Sequence, residues 1–201
     1  MAGALQYICL LLTFGIPIHE CTAVYEDAKC VTDPPCFDLG IVVTMARQVS
    51  KDLIAADGES ILLKHNLFDK IRKKKDLHSC VLLKILDLFE NVLVKTEEKS
   101  PVHRKGEINP HTELIHIMDR LESCVYKSKK GCDRLYTKAN NTAPVRSSKL
   151  EPIQAAILQL QKLNNASENL DDESIQERAM DELKSLHLYI RGKGFRKKLE
   201  D

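Results

Sequence analysis

A chain of 201 residues, 43% hydrophobic and 29% charged, is long enough for one ordinary packed core or at most two small ones. With 30 basic residues against 29 acidic ones the net charge is +1, so nucleic acid is no obvious partner for the chain as a whole. Trp is absent and aromatic residues are only 5%, so the core is mostly Leu, Ile and Val, which suits helices better than a β-sandwich.

Residues 1–23 read as a secretory signal peptide. Its apolar run is ICLLLTFGIPI, and Cys21-Thr22-Ala23 offers small residues for a cut after Ala23. The n-region has no Lys or Arg, and the run is short for a membrane anchor. The expectation is an exported chain whose remainder, 24–201, is a single domain ending in a basic flexible tail at 192–201. Residues 24–37 are a polar lead-in with Pro34-Pro35. Asp38 caps a first helix, Leu39 to Ala56, with Val42, Met45, Ala46, Val49 and Leu53 on one face. Asp57-Gly58 ends it. Ser60 to Lys73 reads as a weaker helix, because Ile61, Leu62, Leu63, Leu67, Phe68 and Ile71 are imperfectly periodic.

Asp76 starts the helix that organises the rest. From Cys80 to Lys95 its apolar residues surround the axis almost completely, so other helices are expected on most of its sides. It is too short to span a bilayer, which needs ~20 apolar residues. Thr96 to Gly106 is a loop. Asn109-Pro110 starts the next helix, His111 to about Tyr126. Ser128 to Ser147 reads as a long polar connection. Ser148 and Glu151 match a capping box, Pro152 sits in the first turn, and the helix runs to about Asn164. After a polar loop to Asp172, a last helix spans Glu173 to Arg191, ended by Gly192 and Gly194. Five strong helices and one weak one predict an all-α, six-helix up-down bundle.

Export decides how cysteine is read. Cys30, Cys36, Cys80, Cys124 and Cys132 outlast the signal, and in an oxidising compartment most should pair. Four paired cysteines allow three connectivities, and either Cys30 or Cys36 is left over. The sequons at Asn140 and Asn165 lie in polar, loop-like sequence and are candidate glycosylation sites.

Catalytic patterns are missing from the sequence. The seven histidines include no H-E-x-x-H pair, and the cysteine spacings are too wide for zinc knuckles. No nucleophile elbow or P-loop appears. The reading is therefore a non-enzyme with no cofactor and no metal. Three basic runs, Arg72–Lys75, Lys127–Lys130 and Arg196–Lys198, read as solvated charge, with a heparan sulfate contact as the alternative.

An exported, disulfide-stapled helical chain without chemistry suggests a receptor ligand, and particular residues sharpen this. Cys80 followed by VLLKILDLFENVLV resembles the third helix of the interleukin-10 family. Arg120-Leu121-Glu122-Ser123-Cys124 with Cys132 soon after resembles its fourth helix and cysteine pair, and Ile175 to Leu183 resembles its last helix. Met45 to Phe68 is similar to the interleukin-22 branch, and the related interferons share the bundle. The resemblance implies two disulfides, Cys36–Cys124 and Cys80–Cys132. It implies a secreted monomer that bridges two class II cytokine receptor chains, one specific and one shared, to activate Janus kinase–STAT signalling in immune or antiviral defence. The candidate exposed contacts are Arg47, Lys51, Asp57, Lys64, Lys70, Glu177, Arg178, Asp181 and Lys184. A carrier of a lipid or other apolar ligand is the rival reading, and would need a cavity inside the bundle.

Overall fold

The computed structural model describes residues 39–50, 59–97, 109–126, 129–143 and 150–195. The expected signal peptide, Cys30, Cys36, Lys51 and Asp57 lie outside the described residues. The described residues contain eight helices and no strand, with one isolated antiparallel bridge between Val125 and Phe195. The helices are α1 Leu39–Val49, α2 His65–Arg72, α3 Lys75–Glu97, α4 Pro110–Cys124, α5 Lys129–Asn141, α6 Pro152–Glu168, α7 Glu173–Leu183 and α8 Leu186–Ile190.

α3 is the axis of the molecule. Its 23 residues make a rod about 35 Å long. Val81, Leu82, Ile85, Leu86, Leu88, Phe89, Val92 and Leu93 are all buried, and α2, α4, α5, α6 and α7 pack around them. α1 rests on α4, α7 and α8. Asn109 caps α4 by accepting the His111 N–H, and Pro110 occupies the first turn, where a missing N–H costs nothing. Glu97 at the end of α3 accepts from both Asn109 Nδ2 and Thr112 Oγ1, which fixes the turn-round into α4.

Several expectations are corrected. The six-helix count gives way to eight helices among the described residues, for two reasons. The supposed connection 128–147 contains α5, and the supposed last helix is two helices. α5 is polar, yet Cys132, Leu135 and Ala139 fall on one stripe and are buried. Tyr136, half-buried beside them, donates its hydroxyl to Cys80 O. Gln161 of α6 donates Nε2 to Ala139 O and Thr142 O, so two carbonyls at the end of α5 find a side-chain partner. Between α7 and α8 the chain tightens to three-residue hydrogen bonds, Ser185 N to Glu182 O and Leu188 N to Ser185 O.

The start of α6 is also shifted. Its N-cap is Glu151, whose N–H donates to Gln154 Oε1, and Ser148 lies outside the described residues. α6 then runs past Asn164 to Glu168, so Asn165 sits in the last turn of a helix, exposed, instead of in a loop. Asn140 is likewise in the last turn of α5, and its side-chain oxygen accepts from Asn164 Nδ2. The first sequon thus lies against Asn164, the residue just before the second.

The expected helix from Ser60 begins only at His65. Ile61, Leu62 and Leu63 are consecutive and all buried, which a surface helix with one apolar face cannot arrange. Their backbone is satisfied by side chains instead. Ile61 N and Leu62 N donate to the two carboxylate oxygens of Glu182, at 2.9 and 2.7 Å. Leu63 N donates to Gln159 Oε1, and Gln159 Nε2 donates back to Ile61 O. Tyr189 OH donates to Leu63 O, and Lys162 Nζ to Ser60 O. One short segment is thus sewn to α6, α7 and α8.

Candidate functional site

The staple comes first. Cys80, at the first buried turns of α3, is bonded to Cys132 at the start of α5, closing a loop with a sequence separation of 52. Cys124 is buried at the end of α4, and Cys36, its partner in the implied pairing, lies outside the described residues. A shallow depression of about 200 Å³ beside the bridge is lined by Leu77, Leu135 and Ile153 with Asp76, Arg134 and Lys138 at its edge. Clefts that hold drug-sized ligands run roughly 300–1,000 Å³ and enclose most of the ligand.

A second constellation lies where the chain leaves α8. His78 of α3 is fully buried. Its Nε2–H donates to Tyr189 O, and its Nδ1 accepts the Gly194 N–H, both at 2.9 Å. Both ring nitrogens are used, and only a neutral ring can use them this way. A Cβ on Gly192 would fall 2.5 Å from the His78 ring, and one on Gly194 would fall 2.3 Å from Ser79 N, so both positions need glycine for close approach. Beyond this crossing Tyr126 N donates to Gly194 O, and Lys193 N donates to Arg72 O. Arg72 in turn donates to Leu188 O and pairs with Asp69. Phe68 packs edge-on against both His78 and Tyr189.

Burial, more than the nearby Arg72 charge, pushes the His78 ring down from 6.5 to about 4, against the upward pull of the Tyr189 carbonyl. The unfolded chain therefore binds a proton that the folded chain refuses. This stabilisation is complete above pH 6.5 and is lost as pH falls toward 4. The wild-type unfolding free energy should drop between pH 7 and pH 4 by about 3 kcal/mol more than that of His78→Gln, measured by urea unfolding at each pH. Equal drops would show that the ring carries no such linkage.

The candidate surface residues divide by exposure. Arg47 on α1 and Lys64 before α2 are exposed. Lys70, Glu177, Arg178, Asp181 and Lys184 were expected to be exposed but are only half-exposed. Lys70 Nζ is drawn in to Leu150 O, Lys184 pairs with Asp181 at 2.7 Å, and Arg178 turns one guanidinium nitrogen inward. The elements carrying all of them are neighbours. α1 packs on α7 and α8, Ile61–Leu63 is tied to α7 and α8, and the His65 and Phe68 rings of α2 contact the Tyr189 ring. Sequence reading named candidate positions on these elements, of which, among those described, only Arg47 and Lys64 are exposed. It missed Glu182, Gln159, Tyr189 and His78, which hold the face together from within.

Among the described residues no three His, Cys, Asp or Glu side chains gather as a metal site, and no helix is long and apolar enough to cross a membrane. Comparison of the chain with models of protein families, with curated proteins and with solved structures gives no match.

Proposed function

We propose that the protein is an exported helical cytokine of the interleukin-10/interferon superfamily. In this reading it bridges a specific and a shared class II receptor chain and so activates Janus kinase–STAT signalling in immune or antiviral defence. The observation that carries the reading is the adjacency of α1, the segment Ile61–Arg72 and α7–α8. The resemblance assigns receptor contact to the first helix, the loop after it and the last helix; α1 and the segment Ile61–Leu63 each pack on α7–α8, which supports this reading. The disulfide between Cys80 and Cys132 and the signal-like N-terminus support the same reading.

The test uses cells that each carry one class II receptor pair, with STAT phosphorylation as readout. One pair responds, and Arg47→Glu/Lys64→Glu raises the half-maximal dose about tenfold or more, equivalent to 1.4 kcal/mol of lost affinity, with unchanged thermal unfolding. Silence on every pair removes the cytokine reading. The chain acts as a monomer in this account, and a dimer mass in sedimentation would contradict that part alone.

A further inference from the structure

We infer that His78 is an acid-operated latch: its Nδ1 lone pair holds shut the crossing Arg191–Phe195, where the chain leaves α8, and a proton taken up at that atom frees the crossing while the bundle stays closed. The geometry makes the two ring nitrogens unequal. Tyr189 O can only accept, so Nε2 carries the hydrogen there. The Gly194 N–H can only donate, so Nδ1 is bare. An imidazolium carries a hydrogen on both nitrogens. Its Nε2–H keeps the bond to Tyr189 O and is strengthened by the charge. At Nδ1 two hydrogens then face each other, and the buried Gly194 N–H loses its acceptor. Acid therefore breaks the crossing side of the ring and spares the α8 side.

The part released is small and separable. Besides the bond to His78, the crossing is held by Lys193 N to Arg72 O, Tyr126 N to Gly194 O and Phe195 N to Gly192 O. None of these bonds belongs to a helix, so they part without unwinding one. The one large apolar side chain of the crossing, Phe195, is only half-buried. Segments with few buried apolar contacts open ahead of the whole.

The charged and titratable groups around the ring come from both flanking helices and from the crossing. Arg72 of α2 is the charge that acts on it, and that guanidinium is held by Asp69 and Leu188 O. Tyr189 of α8 sends its hydroxyl to Leu63 O, and burial pushes that phenol up to about 12. His65 of α2 lies exposed against the Tyr189 ring. Lys74, Lys75 and Asp76 before the ring, and Arg191 and Lys193 in the crossing, are all exposed. Once the crossing opens, the ring returns to its ordinary 6.5 from about 4, so the opening equilibrium is about thirtyfold larger at pH 5 than at pH 7.5. An acidic compartment is thus where the crossing lets go.

The test is native-state hydrogen exchange on the full chain, read amide by amide by NMR. The protection factors of the Lys193 and Gly194 amides fall about thirtyfold from pH 7.5 to pH 5. At pH 5 they are unaffected by about 1 M urea, because a local opening exposes little surface. Leu86 in α3 and Leu188 in α8 stay more protected than Gly194 at both pH values. His78→Gln, neutral throughout, removes the fall, and His65→Gln keeps it. The wild-type ring gives a reading that needs no variant: the nitrogen signal of His78 Nδ1 moves over the same pH interval as the Gly194 amide. A Gly194 protection factor indifferent to pH, or equal to that of Leu86 at pH 5, overturns the proposal. So does a response that survives in His78→Gln or vanishes in His65→Gln.

Discussion

Replacing Cys80 and Cys132 together by alanine is expected to lower the unfolding free energy by about 4 kcal/mol. The bridge closes a loop with a sequence separation of 52, and the chain-entropy relation gives that value for a loop of this length. Both sulfurs are buried, so alanine avoids the added cost of sealing in two hydroxyls. Part of the loss should appear as a looser α5, because the Tyr136 hydroxyl bond to Cys80 O depends on the same register. Burial also pushes the Tyr136 hydroxyl well above its ordinary value, so the phenol stays a donor at any physiological pH. Chemical denaturation of the double variant checks the magnitude. A loss below about 1 kcal/mol would mean that the unfolded chain is already compact around this loop.

The second large effect is expected at Glu182. Its carboxylate takes the Ile61 and Leu62 N–H groups, which have no helix or strand to turn to. Glu182→Ala leaves two inward-facing donors unpaired, at about 1–3 kcal/mol each, for a total near 4 kcal/mol. Glu182→Gln keeps one acceptor oxygen and should lose roughly half as much. Burial raises the Glu182 pKa, while the Leu62 and Ile61 N–H groups pull it down. Its pH term therefore has the opposite sense to that of His78. A raised acid pKa means that stability from this group increases as pH falls through the window above 4.5. Unfolding of both variants, followed alongside hydrogen exchange at Ile61 and Leu62, checks the assignment. Unchanged exchange at those two amides would show that the carboxylate is not their partner.

What could be read in advance follows from how locally each element is determined. α3 was legible because its apolar residues surround the axis whatever packs against them. α4 was legible from Asn109 and Pro110, whose effect reaches only one turn. α5 was overlooked because the ten other residues of the helix, mostly polar, hide a stripe of Cys132, Leu135 and Ala139, although that spacing was there to be counted. The extended course of Ile61–Leu63 was not legible locally. Its partners Gln159, Glu182 and Tyr189 lie roughly a hundred residues downstream, and nothing near residue 60 points to them. Gly192 and Gly194 looked like helix terminators, whereas their tighter requirement comes from the His78 ring and the Ser79 backbone. Which helices neighbour one another on the candidate receptor face was not legible from the residues, since no periodicity says which helices touch.

The crossing at Gly194 has a consequence for the order in which the protein is finished. During synthesis the chain grows from one end, and domains tend to condense as their parts emerge. Cys132 appears 52 residues after Cys80, but the atoms that occupy the His78 ring appear 111 and 116 residues after it. Until then the base of the long rod carries an imidazole with neither nitrogen engaged. The nascent bundle can thus be sulfur-linked well before it is closed, and a ribosome-stalled intermediate should show a histidine that still takes up protons near neutrality.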